Sequence, residues 1–168
     1  MVTGTGMGAV HLVTTALLKA GDLLIAPHDC YGGTWRLFEY LAAKGHYRVQ
    51  FVDQGDEAAL AEALAQQPAL VWVETPSNPL LRVVDVAAIA AASHEVGAKV
   101  VVDNTFLSPL LQQPLSLGAD VVVHSTTKYI NGHSDVVGGA VIAKDPQLVE
   151  QLAWWGNCLG HTGGAFDS

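Results

Sequence analysis

Short unbroken apolar runs alternate along this chain with longer stretches in which apolar residues return every three or four positions. The runs read as strands buried on both faces of a parallel sheet: Leu23–Ala26, Ala69–Val73, Val100–Val102 and Asp120–His124, joined by the more mixed Arg48–Val52. The stretches between them read as helices. One runs from the Gly4–Gly8 turn to about Lys19 and is closed by Gly21; a second carries Trp35, Leu37, Phe38 and Leu41 on one stripe. A third, Asp56–Gln66, turns Leu60 and Leu64 inward and Glu57 and Glu62 outward, and Asp85 caps a fourth that ends at Gly97. Leu107–Leu117 mixes loop and helix, Val136–Ala143 returns as a strand, and Pro146–Trp155 begins a last helix. Strand and helix alternate throughout, which predicts an α/β fold of three layers, a mainly parallel sheet with helices on both faces.

Composition narrows the class. The chain has 168 residues, enough for one domain with a substantial core; half of them are hydrophobic and 14% charged, as in a globular protein. A formal net charge of −8 argues against nucleic acid or an anionic membrane as partner, and no apolar run reaches membrane-spanning length. Cys30 and Cys158 match no metal spacing, and the histidines show no paired-ligand spacing, so no metal is assigned. Two unpaired thiols suit a reducing cytoplasm, with Cys30 as a small packed hydrophobe. The abrupt start in a glycine-rich turn and the end after Phe166-Asp167-Ser168 read as part of a longer protein.

Candidate chemistry gathers where strands end and helices begin, the edge of an α/β sheet at which ligands bind. Gly4-Thr5-Gly6-Met7-Gly8 lets backbone approach a ligand and offers free N–H groups to a phosphate. A dinucleotide fingerprint is the rival reading, but it needs a strand before the glycines and an acidic residue ending the next strand, whereas Asp22 precedes Leu23–Ala26. Tyr31, before Gly32-Gly33, can lie flat on a cofactor ring or cap its helix and join the core. Thr75-Pro76 and Asn78-Pro79 are candidate cis bonds in a rigid turn that would orient Asn78. Asp103 directly follows three valines and needs a cationic partner or several donors; it is a structural cap or the partner of a pyridinium nitrogen. Ser125-Thr126-Thr127-Lys128 sets three hydroxyls beside one amine. Alone this is a surface lysine; with its neighbours it suits a Schiff base to a carbonyl cofactor.

The segments TGMGA, HDCYGGTWRLF, ETPSNPLLRVVD, VVDNTFLSP, HSTTKYINGHSDVVGG and LAWWGN…TGGAFDS resemble the Cys/Met-metabolism family of pyridoxal-phosphate enzymes over essentially the whole chain. The resemblance implies the large cofactor-binding domain of a fold type I transferase, residues 1–168, without the family's amino-terminal arm or carboxy-terminal domain. It implies pyridoxal 5′-phosphate held covalently by Lys128, which would also move protons at the substrate carbons. Asp103 would pair with the pyridine nitrogen. Tyr31 would stack on the ring and help deprotonate the incoming amine. Gly6, Met7, Ser125 and Thr127 would hold the phosphate, and Asn78 would contact the ring hydroxyl or the substrate carboxylate. The implied reaction is γ-replacement, in which O-succinylhomoserine or another O-acylhomoserine exchanges its acyl group for cysteine. Relatives run γ-elimination, β-elimination or sulfhydrylation on the same constellation; the Trp154-Trp155 pair and HSTTKYINGHSD favour replacement by likeness alone. The family setting implies amino-acid substrates, a homotetramer with shared sites, and little or no activity from this stretch alone. A dinucleotide-binding oxidoreductase domain and a non-catalytic cofactor-binding fragment remain as other classes.

Overall fold

The computed structural model describes residues 1–164. The end of the TGGAFDS segment, residues 165–168, therefore lies outside the described residues. Seven strands and six α-helices follow in order: β1 Val2–Thr3, α1 Gly6–Leu17, β2 Leu23–Pro27, α2 Gly32–Ala43, β3 Arg48–Val52, α3 Glu57–Leu64, β4 Leu70–Glu74 and α4 Val86–Glu95. Then come β5 Lys99–Asp103, α5 Ser108–Leu111, a 3₁₀ turn Pro114–Leu117, β6 Val121–Ser125, β7 Gly139–Ala143 and α6 Pro146–Leu159. All seven strands form one sheet in the order β1-β7-β6-β5-β4-β2-β3. The run from β6 through β3 is parallel, while β7 pairs antiparallel with both β6 and β1.

Side-chain alternation explains the three layers. In β4 and β5, Leu70, Trp72 and Val101 face one side, where they pack with Leu12 and Val13 of α1, Phe38 of α2 and Leu148 and Leu152 of α6. Val71, Val73, Val100 and Val102 face the other, against Leu60 and Leu64 of α3 and Val86 and Ile89 of α4. Central strands are apolar on both faces because helices cover both. The helix starts follow cap chemistry: Thr5 Oγ1 accepts from Gly8 N, Asp56 from Ala58 and Ala59 N, Asp85 from Ala88 N and Asp145 from Gln147 N. Among the described residues, no helix is long and apolar enough to cross a membrane.

Three expectations needed adjustment. A strand does precede the glycine turn, but it has two residues and runs antiparallel at the sheet edge, unlike the parallel first strand of a dinucleotide unit. The returning strand begins at Gly139 and not at Val136, because its ladder with β6 ends where Ser125 meets Gly139 and residues before that form the turn closing the site. The first helix stops at Leu17, two residues early: Lys19 N turns aside to Asp22 Oδ2 at 3.0 Å.

Candidate active site

The carboxyl ends of β4, β5 and β6 meet the amino ends of α1 and α2 around a cavity of about 740 Å³. All eight predicted residues line it: Gly6, Met7, Tyr31 and Asn78 from the helix starts and the loop after β4, Asp103 and Ser125 from the ends of β5 and β6, and Thr127 and Lys128 from the turn after β6. Chain order scatters them over more than a hundred positions. The parallel topology collects them because every such strand ends on the same edge.

At one end lies the start of α1. Thr5 caps it by accepting from Gly8 N at 2.8 Å, and Gly6 and Met7, whose N–H groups at the helix start have no intrahelical acceptor, line the cavity. Gly6 is tight against Ser125: a Cβ there would lie 2.6 Å from Ser125 Cβ and 2.9 Å from its Oγ. Only glycine lets the helix start and the end of β6 approach this closely, so the two form a narrow cradle for an anion. Thr127 is already engaged, its Oγ1 donating to Gly138 O at 3.2 Å and accepting from Gly138 N at 3.0 Å.

At the other end lie two carboxylates. Glu74 and Asp103 are register partners on adjacent parallel strands, and alternation puts both on the α1–α2 side of the sheet. Asp103 Oδ1 accepts from Thr105 N at 3.0 Å and Thr105 Oγ1 at 2.6 Å; that hydroxyl in turn accepts from Ser125 N at 2.8 Å. Thr105 thus joins the acidic end to the anion cradle. Burial pushes the Asp103 carboxyl above its ordinary value against the pull of the Thr105 bonds. Burial, and then the charge of Asp103, raise Glu74 to about 8, opposed by N–H bonds from Tyr31 and Asn78. Two desolvated carboxylates on neighbouring strands resist double ionisation. Cys30, pushed up to about 12 by burial and by Glu74, is inert here.

Lys128 lines the same cavity from the exposed turn after β6, with its amine free of any hydrogen bond or ion pair among the described residues. Phe106 and Tyr129, ring centroids 6.0 Å apart, wall the same side. Tyr31 takes the N-cap position of α2 but makes no side-chain cap bond and is 45% exposed, so it does not join the core. Its ring crosses Gly33, where a Cβ would lie 2.5 Å from Tyr31 Cε1 and 3.2 Å from Met7 Sδ. Both expected proline bonds, Thr75-Pro76 and Asn78-Pro79, are cis.

Sequence reasoning missed Glu74 and Thr105. The signal for Glu74 was present, since a carboxylate ending an all-apolar strand is the argument that singled out Asp103. Thr105 had none, because its role depends on Ser125 lying across the sheet. Glu74 carries a pH prediction for cofactor-free protein. Its folded carboxyl holds a proton between pH 4.5 and about 8 that the unfolded chain has released, so its contribution to stability is lost as pH rises through that window. His11 and His124, held low chiefly by burial, act oppositely below 6.5. Subtracting the stability profile of Glu74→Gln from that of the parent isolates the carboxyl. The difference should fall with pH at up to about 1.4 kcal/mol per unit, and a flat difference would contradict the assignment.

The family model for Cys/Met metabolism PLP-dependent enzymes matches residues 1–168. The chain is 70% identical to cystathionine gamma-synthase of Escherichia coli K12 over all 168 residues, which cover 44% of that protein. It is 48% identical to cystathionine gamma-lyase of Dictyostelium discoideum over 161 residues, 95% of this chain and 42% of that one. The crystal structure of cystathionine gamma synthase from Xanthomonas oryzae pv. oryzae with aminoacrylate and cysteine is similar with a TM-score of 0.98 and 60% identity, over 99% of this chain and 43% of that chain. The chain thus spans less than half the length of these relatives.

Proposed function

Because the chain belongs to the Cys/Met metabolism family of PLP-dependent enzymes, we propose that it is the large cofactor-binding domain of an enzyme that performs γ-replacement on an O-acylhomoserine. L-cysteine displaces the acyl group, succinate in the reading we favour, and the product is L-cystathionine. The observation that carries the choice among family activities is the 70% identity, over the whole chain, to a cystathionine gamma-synthase.

The cavity fits pyridoxal phosphate on its own chemistry. The Gly6–Ser125 cradle offers backbone N–H groups and a hydroxyl suited to a phosphate, the buried Asp103 carboxyl suits a cationic ring nitrogen, and the free Lys128 amine lines the same cavity. When bound, the cofactor supplies an electron sink for charge developing on the substrate carbons. Gly6 and Met7 N–H groups and the Ser125 hydroxyl hold the phosphate, and Thr127 helps once its hydroxyl turns from Gly138. Asp103 would accept from the ring nitrogen and keep it protonated, with Thr105, which donates to Asp103 Oδ1 through both N–H and hydroxyl, fixing the carboxylate. Tyr31 covers the ring and takes a proton from the incoming amine. Asn78 contacts the ring hydroxyl or the substrate carboxylate. Lys128 would hold the cofactor covalently and, as a free amine, would take the Cα proton, pass it on, and only then take the Cβ proton. The Cγ–O bond would break with its electron pair leaving on succinate, the cysteine sulfur would bond to Cγ as the thiol proton is released to solvent, and Lys128 would return protons to Cβ and then Cα.

A cytoplasmic homotetramer belongs to the same proposal. Largely exposed Val83, Leu110 and Leu111 suit burial by further chain or other subunits, and Cys30 and Cys158 are free thiols. A γ-lyase is the second reading, favoured by the Dictyostelium relative. The test supplies the complete polypeptide with O-succinylhomoserine and saturating cysteine. Cystathionine is the expected main product; a 2-oxo acid and ammonia formed faster than cystathionine would overturn replacement in favour of elimination.

A further inference from the structure

Glu74 ends the apolar run of β4 and is 6% exposed. Its Oε1 accepts from Tyr31 N and from Asn78 N, each at 3.0 Å, and its Oε2 accepts from Tyr31 N at 2.9 Å. These N–H groups come from different loops, one opening α2 and one following β4, and each is left without its acceptor if the carboxylate goes. From this geometry we propose that Glu74 is a positioning residue that ties the backbone of Tyr31 to that of Asn78, setting the two side chains that flank the cofactor ring. The inference rests on the function proposed above.

Two features make the clamp specific. The Tyr31 ring lies across Gly33, so with its backbone held by Glu74 the ring is fixed at both ends. A second link between the same loops, Ser77 Oγ to Asp29 Oδ2 at 2.6 Å, keeps them together when Glu74 is lost. A Glu74 variant therefore folds with its loops adjacent and Tyr31 unpinned. Glutamine retains an oxygen at the Oε1 position able to accept from both N–H groups, whereas alanine retains none.

The experiment compares parent, Glu74→Gln and Glu74→Ala as the complete holoenzyme. It reads pyridoxal phosphate affinity after removal and re-addition, the circular dichroism of the visible cofactor band, and the thermal midpoint. Alanine is expected to raise the cofactor Kd about tenfold or more and to weaken the visible dichroism, with glutamine staying within about threefold of the parent. A merely structural Glu74 would lower the midpoint and leave Kd and dichroism unchanged, which overturns the proposal. Glutamine as weak as alanine also overturns it, because charge and not the acceptor positions would then be at work. Borohydride reduction of the parent separates the premises. A label fixed on Lys128 with an unaffected alanine variant sinks the Glu74 clamp alone, and no label on Lys128 sinks the proposed function together with it.

Discussion

Replacing Lys128 by alanine is expected to lower γ-replacement by the complete polypeptide about 10⁴-fold or more, and to abolish borohydride-fixed cofactor on the protein. The size follows from two losses at one atom. In the proposed function the Nζ of Lys128 is both the covalent anchor of the cofactor and the base for the substrate carbons, and among the described residues no other lysine lines the cavity. Lys144 donates to Leu115 O, Lys99 lies 4.0 Å from Asp120 Oδ1, and neither these nor Lys19 and Lys44 line the cavity. Lys128→Arg should fare little better, since a guanidinium keeps its proton at working pH. Peptide mapping of reduced parent enzyme checks the assignment. Turnover within tenfold of the parent in the alanine variant, or label on another lysine, would refute it.

The second large effect is at Asp103. Asparagine there keeps an oxygen for the Thr105 bonds, so the strand end and thermal midpoint should be nearly preserved. In the proposed function the variant loses the negative charge that partners the ring nitrogen, and an attraction between opposite charges in a partly desolvated site is worth several kcal/mol, or roughly two to four decades in rate. The Glu74 carboxyl also loses a neighbour that raises its pKa, so it ionises more readily in the variant than in the parent. Retained cofactor with kcat down by that amount is the expected result. Near-parental turnover would mean that Glu74 takes over or that the ring nitrogen needs no partner, and either would reject the role of Asp103.

Much of this was legible before any coordinates. Ala69–Val73 and Val100–Val102 could be read as doubly buried strands because hydrophobicity is a local property of the chain, and once the strands are parallel their ends must share an edge. That places Tyr31, Asn78, Asp103 and Lys128 together without knowledge of any contact. What the sequence hid is the relation between strands. Thr105 matters through Ser125, twenty positions on; Gly6 matters through the same residue from the other end of the chain; Glu74 acts on two backbone N–H groups that no pattern of side chains announces. The start of β7 was misread for a related reason, since Val136 and Val137 are as apolar as a strand residue but have no partner past Ser125.

The two-residue strand β1 also bears on how the molecule is made. Its partners are Gly139 and Ala140, so Thr3 waits for a residue 139 − 3 = 136 positions later in synthesis. At ribosomal rates of 5–20 residues per second that is a delay of roughly 7 to 27 s. Until then α1, whose first turn forms the anion cradle, lacks this strand, and for most of that time it lacks Ser125 as well, while the β2–β3 and β4–β5 pairs form from segments made close together. Nascent chains should therefore acquire a folded sheet well before they can retain a phosphate, and ligand capture becomes an indicator that the domain has been completed.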